Sequence, residues 1–562
     1  MIDRHSISDG ESGSRERESA ERAPRCRAPA LNADLKSLAL LLLLTVTLRG
    51  WLLLTTEVAA RDSIGYIRYA LELENPHMTW GDVLCKNHQH PGFPAAIWVV
   101  SQPVRAALGL TPFSMQLSAQ LVSAIAAVLL VIPMFYLGKN LLNRQTGFWG
   151  ALLFQFLPIS GHLLSDGCSE ALYLLLFASA MLAGVKAIQG NSPWRFGVCG
   201  CLCGLAYLTR PEGAIVFLAT GLVLLGMQCI PAWRRSWFGL FASAASLSIS
   251  ALLVGSLYFA FTGHFTNKPA GQHVLHLGIA KTSEVMETSE AYCAVPGSPL
   301  FASIWAVHVD ATGATQLGAG PSLRMLATEI VQGFHYVGGL AVLLGLWWYR
   351  GLFRTQPGIW VLAAVCGLYC FILFRLGMAA GYISDRHVMV LILCGCYPAA
   401  AALREIPLRW SAKAQQRGSA TALPRALALP RSRALALLLM FAFCLPKTLQ
   451  PLHANRAGHH AAGLWLEQHV KPGDQVVDDH CWAHYYAGLV FEEGKTYPAT
   501  IQPVRYTVIG RTRDPRDDKG RAKQESSIRA AGGHVVYSWP PDRSAETAKV
   551  VVYMQSKSGD SR

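Results

Sequence analysis

Residues 114–138 read SMQLSAQLVSAIAAVLLVIPMFYLG, 25 consecutive positions without a charged side chain. A helix needs about 20 apolar residues to cross a hydrocarbon core. In lipid every backbone amide must be satisfied within the structure, so an isolated run of this length is a helix. Ten further runs have the same character: 36–55, 146–164, 167–189, 195–209, 212–229, 237–262, 328–348, 358–376, 387–403 and 434–449. A shorter apolar stretch, 92–108, follows His90-Pro91 and contains Phe93-Pro94, and it reads as interfacial or re-entrant.

The composition agrees. Of 562 residues, 52% are hydrophobic and 15% charged, where a soluble protein carries about a quarter charged residues. The expected fold class is an all-α polytopic membrane protein of about eleven transmembrane helices, followed by a small α/β domain. The net charge of +14 raises the question of nucleic acid. There is no compact basic domain and no nucleic-acid-binding motif, so the bilayer is the expected partner and nucleic acid is not. The 14 cysteines lie mostly inside apolar runs, as in Cys199, Cys201 and Cys203. That spacing points around a helix, not toward one metal, and no C-x-x-C pair is present.

The basic residues of the short loops fix an expected orientation. Lys139 and Arg144, Lys186 and Arg195, Arg234 and Arg235, Arg350 and Arg354, and the group Arg404 to Arg433 all fall on the side of the N-terminus. The positive-inside rule makes that side cytoplasmic. Residues 1–35 are then a disordered cytoplasmic N-terminus and 36–449 the membrane domain that carries the chemistry, with outer loops 56–113 and 263–327. Residues 450–562 form an extracytoplasmic α/β domain, in a multi-pass protein of the cell membrane. In that domain a helix runs through Trp465-Leu466-Glu467, a turn sits at Pro472-Gly473-Asp474, and strands occur at Gln475-Val476-Val477, 534–537 and 550–553.

A charge at the bilayer centre costs at least about 2.5–3.5 kcal/mol and marks an ion or proton path. The helix middles here are almost free of charge. Ionisable residues gather at the outer helix ends: Asp62, Asp166, Glu170, Arg210, Glu212, Glu329, Arg375, Asp385 and Arg386. The alternative, a transporter or lipid flippase, would place polar groups near the midplane, on broken helices in related repeats. The pattern implies a cleft at the outer surface instead. Asp62 opens an amphipathic segment with Ile64, Ile67 and Ala70 on one side. It suits a helix cap and equally a positioned base, and the two roles are compatible.

Five pieces occur in order on the outer side: Asp62…Tyr66, His90-Pro91-Gly92-Phe93-Pro94, Ser165-Asp166-Gly167-Cys168-Ser169-Glu170, Leu208-Thr209-Arg210-Pro211-Glu212-Gly213 and Tyr382-Ile383-Ser384-Asp385-Arg386-His387. The set resembles the GT-C glycosyltransferases that use polyprenyl-phosphate sugars, among them protein O-mannosyltransferases and bacterial aminoarabinose transferases. The resemblance covers roughly residues 36–403. Two departures bear on acceptor and sugar. Ser63 stands where the mannosyltransferases carry a second acid, and the loop 263–327 is unusually long.

The resemblance implies a membrane glycosyltransferase that moves a sugar from a polyprenyl-phosphate donor to a hydroxyl acceptor, by inversion, on the non-cytoplasmic face. It implies Asp62 as the base, Arg386 on the donor phosphate and Arg210 as a second phosphate cation, though Arg210 could simply pair with Glu212 at a tight turn. Asp166 and Glu170, one helical turn apart, could orient the acceptor, bind a divalent cation or position Arg210. Tyr66 and His90 belong to the acceptor or supporting set. His88 and His90, with Cys85, have a spacing that could ligate zinc but fit an acceptor entrance better. No DxD signature is present, so no metal or other cofactor is required, with a divalent cation left open.

Overall fold

The computed structural model describes residues 27–190, 192–268, 318–416, 425–478, 480–493, 495, 504–511 and 515–555. Most of the N-terminal segment 1–35, and 269–317 of the long loop, lie outside the described residues.

The membrane half runs through α1 (Arg27–Thr55), α2 (Arg61–Glu72), α3 (Trp80–Lys86), α4 (Gly92–Leu108), α5 (Pro112–Leu141), α6 (Arg144–Phe156), α7 (Pro158–Leu163), α8 (Glu170–Gln189), α9 (Pro193–Thr209), α10 (Ala214–Gly226) and α11 (Trp237–Thr262). It continues with α12 (Ala319–Gly333), α13 (Val337–Tyr349), α14 (Leu352–Thr355), α15 (Ile359–Ala380), α16 (Met389–Gln416) and α17 (Arg425–Thr448). Among the described residues seven stretches are long and apolar enough to span a bilayer: Asn32–Thr55, Pro112–Leu141, Glu170–Gln189, Pro211–Cys229, Trp237–Thr262, Ile359–Ala379 and Asp385–Ile406. Two more expected runs are the short helix α9 and the apolar end of α17, Leu437–Thr448. The stretch 92–108 is one helix, α4, with Pro103 inside it.

Two expected single helices are broken. The run 146–164 divides at Leu157, whose extended ψ of 136° precedes Pro158, because a proline cannot donate and pushes its predecessor out of the helical region. The run 328–348 bends by 99° between α12 and α13, where His335 and Tyr336 both take positive φ. The first break is stitched by a cation that the depth reading missed. Arg49 of α1, 2% exposed, donates to the Gly161 carbonyl at 2.7 Å, to Ser165 Oγ at 2.8 Å and to Gln155 Oε1. The end of α7, and Ser165 just before Asp166, are thereby held against α1.

The C-terminal part contains α18 (Ala457–His469), β1 (Gln475–Asp478), α19 (Trp482–Tyr486), β2 (Arg505–Gly510), α20 (Pro515–Ala530), β3 (His534–Trp539) and β4 (Val550–Gln555). The sheet order is β1-β2-β4-β3, with β1 and β2 parallel and the other pairs antiparallel. β2, absent from the sequence expectation, is an inner strand and is buried along most of its length.

This domain grips the first loop. Trp482, Tyr485 and Tyr486 share a core with Ile64, Ile67 and Phe93. Trp482 Nε1 donates to the Ala59 carbonyl at 2.7 Å, and the Ala59 amide donates to Tyr486 Oη at 2.7 Å. Tyr486 Oη donates to Gln116 Oε1 and Tyr485 Oη to the Pro112 carbonyl, at 2.7 and 2.6 Å. Burying a large apolar side chain stabilises by about 1.5–3 kcal/mol, so three aromatics with this hydrogen bonding hold the domain firmly against α2 and α5.

Candidate active site

The motifs that lie far apart in sequence meet at one end of the helix bundle. The chain leaves α1 at Thr55, is pinned at Ala59, and enters α2 at Arg61 with Asp62 in the first turn. No side chain caps α2, so the Asp62 carboxylate is turned elsewhere. It accepts from Arg386 Nη1, which arrives from the short 3-10 turn Asp385–Val388 before α16. His387 Nδ1 accepts from the Ser384 amide at 3.1 Å and fixes that turn. Asp62 and Arg386 are respectively 27% and 32% exposed at their side chains, so both remain within reach of a ligand.

Behind them lies a buried pair. Glu170, the first residue of α8, receives Arg210 Nη1 at 2.7 Å, and Arg386 Nε stands 3.8 Å from the same oxygen. Arg210 also pairs with Glu212 at 3.2 Å, as the turn spacing allowed, and lies over the Tyr173 ring at 5.6 Å. Glu170 Oε2 is buried without a hydrogen-bond partner among the described residues. Arg210 is thus neutralised by two carboxylates, while Arg386 is shared between Asp62 and Glu170.

Asp166 and Glu170 are not neighbours on one helix face. Gly167 at φ +66° breaks the chain between them, and α8 starts only at Glu170. A Cβ at Gly167 would also lie 2.8 Å from Ser63 Oγ. Asp166 instead accepts from His453 Nε2 at 2.6 Å, while Glu170 faces the arginines. Burial pushes the Asp166 carboxyl up. Burial pulls His453 down, but its hydrogen bond to Asp166 and the charge of that carboxylate more than offset this and raise it.

His90 does not line an entrance. It is 1% exposed, stacked on Tyr258 at 4.4 Å, with Nε2 3.2 Å from Thr266 Oγ1; burial, then the charge of Lys268, push it down to about 3. Gly92 of the same motif comes so close to the end of α9 that a Cβ would lie 2.8 Å from the Leu208 carbonyl. The motif seats α4 against the residues leading into Arg210. The zinc alternative is likewise set aside. Cys85 Sγ donates to the Phe261 carbonyl and His88 Nδ1 faces the Asn267 carbonyl, and no three potential ligands converge among the described residues. Tyr66 is buried, with its hydroxyl 2.8 Å from Ser169 Oγ, and supports the Asp166–Glu170 turn. Ser63 is 1% exposed, so the position of the second acid in the mannosyltransferases is here a packed one.

Two functional candidates escaped the sequence reading. Lys268 follows α11 and feels the charges of Arg210, Glu212, Glu170 and Arg386. Its amine makes no ion pair among the described residues, and burial, then Arg210, push it down to about 8. Nothing in the sequence around it marks it out. His453 lies just beyond the last apolar run, at the same depth as the other ionisable residues, and the depth rule applied to 449–456 would have found it.

Residues 93–255 match the family model of dolichyl-phosphate-mannose-protein mannosyltransferases. Among solved structures the chain is similar to ArnT from Cupriavidus metallidurans bound to undecaprenyl phosphate. The identity is 12%, the match covers 92% of this chain and 98% of that one, and the TM-score is 0.55. The chain carries the GT-C fold. The apo oligosaccharyltransferase of Archaeoglobus fulgidus is also similar, at 14% identity over 85% of this chain and 69% of that one, with a TM-score of 0.48. No curated protein sequence matches the chain. Within this GT-C chain the matched segment 93–255 contains Asp166, Glu170, Arg210 and Glu212, and lies between Asp62 on one side and Lys268 and Arg386 on the other.

Proposed function

We propose that the chain transfers a sugar from a polyprenyl-phosphate donor to a hydroxyl acceptor, with inversion, at the non-cytoplasmic face of the cell membrane. The observation that carries this is the ion-pair network Asp62–Arg386–Glu170–Arg210–Glu212 at one end of an apolar bundle, with Lys268, whose amine makes no ion pair among the described residues, within range of its charges. ArnT, similar over nearly its whole length, binds undecaprenyl phosphate.

The chemistry follows from the charges. A sugar phosphodiester carries one negative charge, and the phosphate monoester that leaves carries up to two. Cations are therefore worth most as the bond between the anomeric carbon and the phosphate oxygen breaks. Lys268 and Arg386 are suited to that phosphate; Arg210, already held by two carboxylates, orients Glu170 and Arg386. The acceptor oxygen attacks the anomeric carbon as its proton passes to Asp62, and polyprenyl phosphate departs from the opposite side. A positioned base contributes about 10²–10⁴ in rate.

In the resting site Asp62 is tied to Arg386. An arriving donor phosphate competes for the same guanidinium through two parallel hydrogen bonds and loosens Asp62 for its role as base. Asp166 and His453 support the acceptor side. No residue of the network requires a metal for these roles. The transporter alternative would need polar groups near the midplane in related repeats, whereas Asp62, Glu170, Arg210, Glu212 and Arg386 gather at helix ends.

The test is purified protein in detergent with a panel of radiolabelled polyprenyl-phosphate sugars, scored for release of polyprenyl phosphate, with Asp62→Asn alongside. Release by the wild type and not by the variant supports the proposal. Failure to release from every donor in the panel, or equal release by the variant, sinks it.

A further inference from the structure

The end of the bundle away from the candidate site carries a cleft of its own. Lys36 and Leu40 of α1, with Arg144, Gln145, Phe148 and Trp149 of α6, line an open cleft of about 310 Å³. That volume falls at the lower end of the range for ligand pockets, about 300–1,000 Å³. Lys36 stands near the start of α1, so at about 1.5 Å per residue roughly 30 Å of helix separate it from Thr55. The proposed base lies beyond Thr55.

The cations of the cleft differ from their neighbours in having no partner. Lys139 is paired with Asp34. Arg404 of α16 donates to Gln145 Oε1, which leaves the Gln145 side-chain amide as a donor. The side chains of Lys36 and Arg144 make no hydrogen bond or ion pair among the described residues. No carboxylate is among the residues that line the cleft. Two cations and an amide donor therefore border one cleft, and nothing of opposite charge meets them there.

Beyond the cations the walls turn apolar. Lys36, Leu40 and Leu43 recur at helical spacing on α1, and both leucines are exposed. Phe148 meets Trp149 edge-on at 5.1 Å, in the manner of an interfacial aromatic belt. Trp149 packs on Phe441 of α17 at 6.1 Å, and Phe156 packs on the same ring at 5.7 Å. α6 is thus the floor of a groove between α1 and α17. Trp51 Nε1 donates to the Leu449 carbonyl at 3.1 Å and closes that groove at its far end.

We propose that the cleft binds one anionic glycerophospholipid of the leaflet opposite the catalytic end. Its phosphate is held by Lys36 and Arg144, and one acyl chain lies in the groove over α6. The lining selects this occupant. A phosphate needs cations and donors, which are present, while the ammonium of a zwitterionic headgroup needs a carboxylate that the lining lacks. From Lys36 to Trp51 the groove runs roughly 22 Å, enough for an acyl chain to pass the midplane of a core about 30 Å thick. A polyprenyl chain that continues further meets the Trp51–Leu449 closure. No reacting group is involved, so the site stands or falls independently of glycosyl transfer.

The test uses the full chain in detergent, titrated with dibrominated phosphatidylglycerol or dibrominated phosphatidylcholine and followed by tryptophan fluorescence. The difference between wild type and Trp149→Phe isolates the quenching at the cleft. That component should be quenched by phosphatidylglycerol at a concentration about tenfold or more below that of phosphatidylcholine. Lys36→Gln/Arg144→Gln should erase the preference, the scale of two lost headgroup contacts. Arg234→Gln/Arg354→Gln removes the same charge from exposed residues outside the cleft, and should keep the preference. Unbrominated phosphatidylglycerol should restore the fluorescence, and undecaprenyl phosphate at the same concentration should not. Should Trp149→Phe fail to fold, native mass spectrometry replaces it: one phosphatidylglycerol retained by wild type and by Arg234→Gln/Arg354→Gln, and lost in Lys36→Gln/Arg144→Gln, is the same result. Equal quenching by the two lipids, or an equal loss in both double variants, overturns the site, the second because bulk charge alone then explains it. Tighter displacement by undecaprenyl phosphate than by phosphatidylglycerol overturns the choice of occupant.

Discussion

Replacing Glu170 by Gln should damage stability more than any other single change in the ion-pair network. The Glu170 side chain is 3% exposed and that of Arg210 9%, at 2.7 Å, while Glu212, the other partner of Arg210, is 23% exposed. Removing one member of a buried pair costs about 3–5 kcal/mol, because the remaining charge is left desolvated. Glutamine keeps the shape and one acceptor, and Glu212 still meets Arg210, so the loss should fall near the lower end, about 3 kcal/mol or roughly 10² in the folding equilibrium. Glu212→Gln, nearer the solvent, should cost about 1 kcal/mol or less. The measurement is equilibrium unfolding in mixed micelles by SDS titration, followed by tryptophan fluorescence. If Glu170→Gln unfolds within about 1 kcal/mol of wild type, or if Glu212→Gln is the worse of the two, then Arg210 is anchored through Glu212 and the buried pair is not the keystone argued here.

Asp62→Asn should fold normally and lose about 10² or more in turnover, measured as polyprenyl phosphate release; near-normal turnover would reduce Asp62 to a residue that restrains Arg386. Arg386→Lys should retain the fold but lose substantial rate and donor affinity, since Lys offers a point charge where Arg offers a planar fork; full activity would make it a mere anchor. The pair His453–Asp166 should make stability fall as pH rises. Both groups have folded pKa values above their ordinary ones, so the imidazole's contribution is complete below its unfolded value of about 6.5 and is lost as pH rises through its folded value. The groups that modulate this are Arg456 on His453, and Arg386 and Glu170 on Asp166. The difference in unfolding temperature between wild type and His453→Gln should therefore shrink from pH 6 to pH 9, and a difference that grows would reverse the assignment. Reporter fusions at Gln145, Arg235 and Gln416 should signal cytoplasm and one at Asp517 the outer compartment; an outer signal at Arg235 would invert the proposed topology.

The membrane fold was legible because apolar length is a one-dimensional property. Each of the eleven runs falls largely on helix, seven of them on stretches long and apolar enough to span a bilayer among the described residues, and 237–262 has the same ends as α11. The departures come from backbone chemistry that hydropathy does not weigh: Pro158 divides one run, the positive φ of His335 and Tyr336 bends another, and Gly167 delays α8. The site was legible as a list and much less so as a set of partners. Depth placed Asp62, Asp166, Glu170, Arg210 and Arg386 at one end, but which carboxylate met which arginine depended on contacts across more than 300 positions, as for Asp62 and Arg386. His90 was misread because a histidine in a polar-looking motif gives no sign that Tyr258 covers it. β2 was missed although Tyr506-Thr507-Val508-Ile509 has strand composition, because it is bounded on one side by a long polar stretch.

Both polar groups of the Ala59 backbone are taken by Trp482 and Tyr486, and Asp166 is met by His453. The proposed catalytic end is therefore assembled from segments as far as 427 positions apart in sequence. During synthesis the segments that carry Asp62, Asp166 and Arg210 are made long before residues 453–486 exist. Until those residues are made and seated, Ala59 lacks both its partners and Asp166 lacks its imidazole. A growing chain therefore carries its proposed base before the groups that fix the backbone beside it, and that alignment waits on residues 453–486.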